Sequence, residues 1–334
     1  MELEGFAPPR PFPGARHRTP LHMKAKGTKE TYTLADLRDW EEATRDVNPP
    51  IRLGVIGDPV AHSLSPQMQN AALRRVNIEM QYARFHIRPE ELREALQLER
   101  ESQFLGLNLT NPHKIAAVGL MDSVDELTKK IGAVNTVRIA GGALEGFNTD
   151  GEGFGRAIRD NFAIDLRDLR VLVLGAGGAA RAIAFHCASE RCERLVIVNR
   201  DPKKAKRLVD ELHPDFIGPR VFGPVARLEA VPWDESAIRF QLANLDLIVN
   251  ATPLGLQPRD PSPVPARALA PHLMVFDTVY RAGKTALVRA AEEAGARAVD
   301  GRLMLLHQGA AAFEIWFDRP APLAAMRAAL KQID

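Results

Sequence analysis

A lysine and an aspartate, each set in a compact polar motif, are the residues of this chain best suited to chemistry. Lys114 closes Asn108-Leu-Thr-Asn-Pro-His-Lys114, and Asp150 closes Asn148-Thr-Asp150. Reducing a carbonyl moves a hydride to carbon and a proton to oxygen, and the proton donor must lie within hydrogen-bond reach of that oxygen. A lysine serves when burial disfavours its charged form and lowers its pKa. A neighbouring carboxylate pulls the other way, but it orients the amine and can accept a substrate hydroxyl. A glycine-rich turn, Gly175-Ala176-Gly177-Gly178-Ala179-Ala180, follows both motifs. Gly175, Gly177 and Ala180 match the pattern G-x-G-x-x-G/A. The first glycine permits a tight turn, the second lets a phosphate approach the backbone, and the small third residue packs helix on strand. The amides at the helix start then face a pyrophosphate. Each feature alone has a blander reading, a solvated charge or a structural turn. Together they imply an oxidoreductase that acts on a small hydroxylated substrate with a dinucleotide.

The elements around these residues read as alternating strands and helices. Strands are expected at 51–56, 81–87, 104–109 and 133–139, and helices at 66–76, 89–97 and, in two pieces, 112–130. Ser65 is expected to cap the helix at 66, with Pro66 in its first turn. Gly141-Gly142 marks a hairpin turn. The alternation implies a parallel, layered α/β sheet. Lys114 stands five residues past Leu109, at the strand mouths where ligands gather in such sheets. Ser63 and Ser65 also follow a strand, and two hydroxyls near a helix start suit a carboxylate. A helix over 151–161 leads into a second unit. There the all-apolar strand 171–174, the glycine turn, a helix to about 189 and strands at 195–198, 247–250 and 273–277 describe a doubly wound nucleotide domain. Helices at 303–317 and 323–331 are expected to pack back on the first unit. A short helix capped by Thr33 should bury Leu34, Leu37 and Trp40 and end by Asn48-Pro-Pro50.

The totals fit this reading. A chain of 334 residues accommodates about two domains. A formal charge of +2 without a basic run gives no reason to expect nucleic acid. No apolar run reaches the length of a membrane span. Pro8, Pro9, Pro11 and Pro13 interrupt the N-terminus, where a signal peptide would need an apolar core. Residues 1–30 read as a mobile tail. The two cysteines, Cys187 and Cys192, form no disulfide framework, so a reducing cytoplasm is expected. The nine histidines show no metal-ligand spacing, and no metal is expected.

The residues after the second strand of the nucleotide unit are Asn199-Arg200-Asp201-Pro-Lys203-Lys204. Arg200 and Lys204 favour a ribose 2′-phosphate, hence NADP; Asp201 favours a free 2′-hydroxyl, hence NAD. The balance of charge points to NADP, with NAD left open.

From about residue 51 to 318, an ordered series of motifs resembles the shikimate dehydrogenase family. Ala61-His-Ser-Leu-Ser-Pro66 is similar to its carboxylate-binding serines, and the Lys114 motif to its catalytic lysine segment. Gly132-Ala-Val-Asn-Thr136 and Asn148-Thr-Asp150-Gly151 resemble the segments that carry its substrate-binding Asn and catalytic Asp. Asn250-Ala-Thr-Pro-Leu-Gly255 resembles its loop against the cofactor. Asp277-Thr-Val-Tyr280 and Asp300-Gly-Arg-Leu-Met304-Leu-Leu-His-Gln308 resemble the segments whose Tyr and Gln reach substrate.

The resemblance implies a two-domain α/β enzyme: an extension over 1–50, partly disordered, a substrate domain of 51–152 plus 301–334, and a Rossmann-type domain of 153–300. It implies NADPH-dependent, reversible reduction of 3-dehydroshikimate to shikimate in aromatic amino-acid biosynthesis, by a monomer or homodimer. Lys114 and Asp150 would be catalytic. Ser63, Ser65, Thr110, Asn135, Tyr280 and Gln308 would bind substrate. Gly175, Ala176, Gly177, Gly178, Ala179, Asn199, Arg200, Asp201, Lys204, Ala251, Thr252, Gly301 and Met304 would face the cofactor. An NAD-dependent quinate/shikimate dehydrogenase, and an inactive metabolite-sensing homologue, are the alternatives. Asp201 stands where NADP-specific members tend to carry Thr or Ser, which keeps the first of these open.

Overall fold

The computed structural model describes residues 28–216 and 226–331. Of the tail expected over residues 1–30, residues 1–27 lie outside them. Thirteen strands form two sheets. The first contains β1 (Tyr32–Thr33), β2 (Ile51–Gly57), β3 (Gln81–His86), β4 (Gly106–Leu109), β5 (Ser123–Val124), β6 (Thr136–Ala140) and β7 (Ala143–Phe147), in the spatial order β1-β3-β2-β4-β6-β7-β5. Strand β2 is apolar except for Arg52 because both its faces are covered. Leu53 and Val55 pack with Met68, Leu73, Leu306, Phe313 and Met326. Ile51 and Ile56 pack on the other face with Phe85, Leu96, Phe104 and Leu107. A register shift between Ile51 and Leu53 lets Ile51 join Ile56 rather than Leu53, since one extra residue moves a side chain to the opposite face.

The expected parallel sheet is corrected to a mixed one. β4 pairs antiparallel with β6, and β6 antiparallel with β7. The turn residues Gly141 and Gly142 both have positive φ, 58° and 79°, the twist a two-residue hairpin needs. The two helical pieces expected over 112–130 are a 3-10 turn and a short α-helix, parted by a strand that was not expected. Residues 116–120 form a 3-10 turn, Ser123–Val124 pairs with β7, and a helix restarts at Glu126 with Asp125 accepting the Thr128 N–H at 2.8 Å. Asp122 accepts the Leu144 N–H at 2.7 Å. These tertiary bonds draw the middle of the segment into the sheet. Ser65 is not the cap of its helix. The helix Ser65–Arg75 begins with it, Leu64 holds the cap position, and the Ser63 hydroxyl accepts the Ser65 N–H at 3.3 Å.

Residues 28–43 are built onto the first sheet's edge. Tyr32 is fully buried where β1 pairs parallel with β3. Thr33 caps the next helix reciprocally with Asp36, and Leu34 and Leu37 are buried. Trp40 is half-buried, its ring centroid 5.4 Å from that of Phe104. Helix ends at Ala43, before the prolines.

The second sheet contains β8 (Arg170–Leu174), β9 (Arg194–Asn199), β10 (Leu228–Pro232), β11 (Leu247–Asn250), β12 (Met274–Asp277) and β13 (Arg297–Val299). All pairings are parallel and the order is β10-β9-β8-β11-β12-β13, that of a doubly wound dinucleotide fold. The central strands are continuous apolar runs because helices cover both faces. The edge strands β10 and β13 carry Glu229 and Arg297, so their apolar signal is diluted. The helices Arg302–Phe317 and Leu323–Lys331 return to cover β2 of the first sheet. Among the described residues, no helix is long and apolar enough to cross a membrane.

Candidate active site

Lys114 and Asp150 meet where the two sheets adjoin. The ammonium donates to Asp150 Oδ2 at 2.5 Å, and the two side chains are only 15% and 5% exposed. A buried ion pair needs its remaining lone pairs satisfied. Asn135 does this: its Nδ2 donates to Asp150 Oδ1 and to Thr149 Oγ1, both at 2.9 Å. Asn135 Oδ1 accepts the Thr149 N–H at 2.9 Å, and Asn148 Oδ1 accepts the Asp150 N–H at 3.0 Å. Asp150 is the first residue of the helix Asp150–Phe162, where the helix dipole favours a negative charge. Lys114 is fixed from the other side, since its carbonyl accepts the Val134 N–H at 2.8 Å.

The pair lines a cleft of about 180 Å³ together with Ser63, Ser65, Asn108, Thr110, Ala179, Thr278, Tyr280, Gly301, Met304 and Gln308. Five of the six residues expected at the substrate therefore share one cavity with both catalytic candidates. Asn135 does not line it. It is 1% exposed and stands behind Asp150, with its amide bonded to that carboxylate. Gln308 Nε2 donates to Leu305 O at 2.9 Å, which leaves Oε1 near Asn135 Nδ2 at 3.4 Å.

The residues expected at the cofactor follow the carboxyl ends of β8, β9, β11 and β13, the edge where dinucleotides bind in this topology. Gly175 has φ +116°, and a Cβ there would stand 2.8 Å from the Ala251 carbonyl oxygen. Only glycine permits that turn beside that loop. A Cβ on Gly177 would meet nothing within 4 Å, so its bare backbone leaves room for a phosphate. Gly178 differs: a Cβ there would stand 2.8 Å from Lys114 Cβ and 3.1 Å from its Cδ. The glycine turn thus touches Lys114 directly. Gly301 lies against the Thr278 carbonyl, with no room for a side chain. Asp201 caps the helix Pro202–Leu212, its carboxylate accepting the Lys203 N–H at 2.9 Å. Arg200 and Lys204 form no ion pair among the described residues. The turn's open backbone and these two cations fit a dinucleotide carrying a ribose phosphate.

Thr252, in the loop after β11, is held by a buried network. Asn250 Oδ1 accepts the Thr252 hydroxyl at 2.7 Å, and Asn250 Nδ2 donates to Leu254 O at 2.9 Å and Asp277 Oδ1 at 2.8 Å. Asp277 also accepts the Thr285 hydroxyl at 2.6 Å and the Val279 N–H at 3.1 Å. Burial pushes the Asp277 carboxyl up to about 6, and its hydrogen bonds oppose the rise.

Three residues of the site were not singled out by sequence. Asn108 accepts the Tyr82 hydroxyl at 2.8 Å and donates to Thr136 Oγ1 at 3.1 Å. Thr278 lines the cleft. Arg84, on β3, donates to the Ser63 carbonyl. Asn108 and Thr278 lie inside quoted motifs, which was the available signal; nothing in the local sequence of Arg84 marks it. Among the described residues, no three His, Cys, Asp or Glu side chains cluster as a metal site.

Comparison with known proteins places these features in a family. Three family models match: the shikimate dehydrogenase substrate binding domain over residues 55–137, shikimate / quinate 5-dehydrogenase over 157–220, and the shikimate 5′-dehydrogenase C-terminal domain over 301–331. A shikimate dehydrogenase (NADP(+)) of Methanopyrus kandleri is 43% identical over 280 residues, which cover 83% of this chain and 94% of that one. A crystal structure of shikimate dehydrogenase in complex with NADP+ aligns with a TM-score of 0.75 at 33% identity, covering 84% of this chain and 95% of the other. The shikimate 5-dehydrogenase of Thermus thermophilus, in complex with NADP(H) and shikimate, aligns at 0.73 and 37% identity, covering 85% and 100%. With its paired sheets, its Lys114–Asp150 cleft and this breadth of likeness, the chain belongs to the shikimate dehydrogenase family.

Proposed function

We propose that this protein is a shikimate dehydrogenase that reversibly reduces 3-dehydroshikimate to shikimate with NADPH, a step of aromatic amino-acid biosynthesis. The observation that carries this reading is the Lys114–Asp150 pair, 2.5 Å apart in a cleft roofed by the glycine-rich turn. Lys114 holds the proton that the carbonyl oxygen takes up on reduction and receives it back on oxidation. Asp150 orients the ammonium and accepts a ring hydroxyl. Asn135 keeps the carboxylate in place from behind. Ser63 and Ser65 bind the substrate carboxylate, and Thr110, Tyr280 and Gln308 bind the ring oxygens. Gly175–Ala179, Ala251, Thr252, Gly301 and Met304 would hold the dinucleotide, with Arg200 and Lys204 on its 2′-phosphate. When bound, the nicotinamide supplies or accepts the hydride.

Residues 51–152 with 301–334 form the substrate domain, with 28–50 on its edge, and 153–300 form the cofactor domain. The two cysteines are free and buried, which fits a reducing cytoplasm. The test is absorbance at 340 nm with purified protein, offering shikimate and quinate with NADP+ and NAD+. Shikimate with NADP+ should be the preferred pair. Preferred turnover of quinate with NAD+ supports the rival enzyme, and silence with all four pairs supports a sensor.

A further inference from the structure

The proposed substrate is an anion, yet the cleft holds no net charge to meet it. Among the described residues, Lys114 and Asp150 are its only charged lining residues, and they neutralise each other. Behind the serine loop lies a cation that no carboxylate neutralises through an ion pair. Arg84 is half-buried on β3 and spends its fork on the loop's backbone. Its Nε and Nη2 donate to the Ser63 carbonyl at 3.1 and 2.6 Å, and Nη2 also donates to Gln67 Oε1 at 3.0 Å. Among the described residues no carboxylate lies within ion-pair distance of it; exposed Glu30 is its nearest acidic influence.

The Ser63–Leu64 peptide is trans, since the cis bonds lie elsewhere, so its C=O and N–H point in opposite directions. The carbonyl faces Arg84, so the Leu64 N–H points away from the guanidinium; Ser63 and Tyr280 line the cleft, and Leu64 with Tyr280 lines the hollow beside it. The guanidinium therefore polarises the peptide of a loop whose Ser63 lines the cleft. His62 and Tyr280 also feel its charge. At the outer lip, His62, Arg281 and Arg302 line an adjoining hollow of about 150 Å³.

We infer that Arg84 is the counter-charge of the substrate carboxylate, acting through the Ser63–Leu64 peptide and setting the enzyme's preference for an anionic substrate. This rests on the shikimate reading of the same cleft. A guanidinium that only tied down the loop would help charged and uncharged substrates alike, whereas a counter-charge helps only the anion.

The experiment compares shikimate with its methyl ester, under NADP+, in the wild type, Arg84→Gln and Arg84→Lys. KM is read for each, or Ki against shikimate where the ester turns over too slowly. Arg84→Gln should raise KM for shikimate about tenfold. It should leave kcat and the KM for NADP+ within about twofold and leave the ester unaffected. Arg84→Lys should recover most of the lost affinity, because it keeps the charge. An equal penalty on acid and ester makes Arg84 a loop anchor only and overturns the proposal, as does an unchanged KM for shikimate. A wild type that leaves shikimate untouched overturns the functional reading, and the counter-charge with it.

Discussion

Gly178→Ala adds one methyl group where the glycine-rich turn meets the catalytic lysine. The new Cβ would stand 2.8 Å from Lys114 Cβ, 3.1 Å from Cδ and 3.5 Å from Ala133 Cβ. Carbon atoms rest at about 3.5–4.0 Å, so the lysine stem or the helix Gly178–Ser189 must move by about 1 Å. Overpacking of this kind costs about 1–3 kcal/mol, offset in part by up to about 1 kcal/mol from alanine's helix propensity. Global stability should therefore change little. The position of Lys114 Nζ should change more, because its stem is the softer neighbour. A misplacement of about 1 Å can cost about a hundredfold in rate. Stopped-flow hydride transfer, with NADPH affinity measured separately by fluorescence, should show that kcat falls tens- to a hundredfold while affinity stays within a few fold. Gly177→Ala is the contrasting variant. Its Cβ would meet no protein atom and its φ of −83° suits alanine, so it should weaken dinucleotide binding and spare the rate at saturation. If Gly178→Ala keeps its kcat and loses cofactor affinity instead, the glycine serves the phosphate and not the lysine.

Two further predictions concern pH. The Asp277 carboxyl ordinarily titrates at 3.8 and is pushed up to about 6 by burial. Its contribution is therefore complete below 3.8 and is lost as pH rises through 6, a change of about 3 kcal/mol. Urea unfolding at pH 4 and pH 7 should show that Asp277→Asn lacks this decline, whatever its absolute stability; parallel slopes in variant and wild type would contradict the account. Glu99 is fully buried with both carboxylate oxygens unpartnered, and burial pushes its pKa well above 4.5. Its stabilising effect belongs to acid pH and fades as pH rises. Glu99→Met should raise the unfolding midpoint at pH 8, by a margin that shrinks toward pH 5; a lower midpoint at pH 8 would refute the assignment.

The chemistry-bearing residues were legible because each sits in a short motif just past a strand, and a parallel sheet delivers its strand ends to one edge. Lys114 and Asp150, 36 positions apart, meet by this logic. The doubly wound domain was legible from the apolar runs 171–174 and 247–249 within β8 and β11, which suit a sheet covered on both faces. What escaped was set by tertiary partners. Asn135 stood out only through the family resemblance, and nothing in its spacing told that its amide bonds Asp150 and Thr149. Arg84 drew no notice in the sequence, since a bond to a backbone carbonyl leaves no trace in side-chain spacing. Ser65 looked like a cap, yet Ser63 accepts its amide and the hydroxyl of Ser65 faces the cleft. Ser123–Val124 became a strand because β7 offered it an edge.

The central claim is that Lys114 handles the proton beside a bound dinucleotide. Lys114→Ala tests it most directly, with shikimate oxidation by NADP+ followed at 340 nm and NADPH binding followed in parallel. General acid–base catalysis contributes about 10²–10⁴-fold, so turnover should fall by that order while the dissociation constant for NADPH stays within about twofold. Turnover near the wild-type rate would contradict the account.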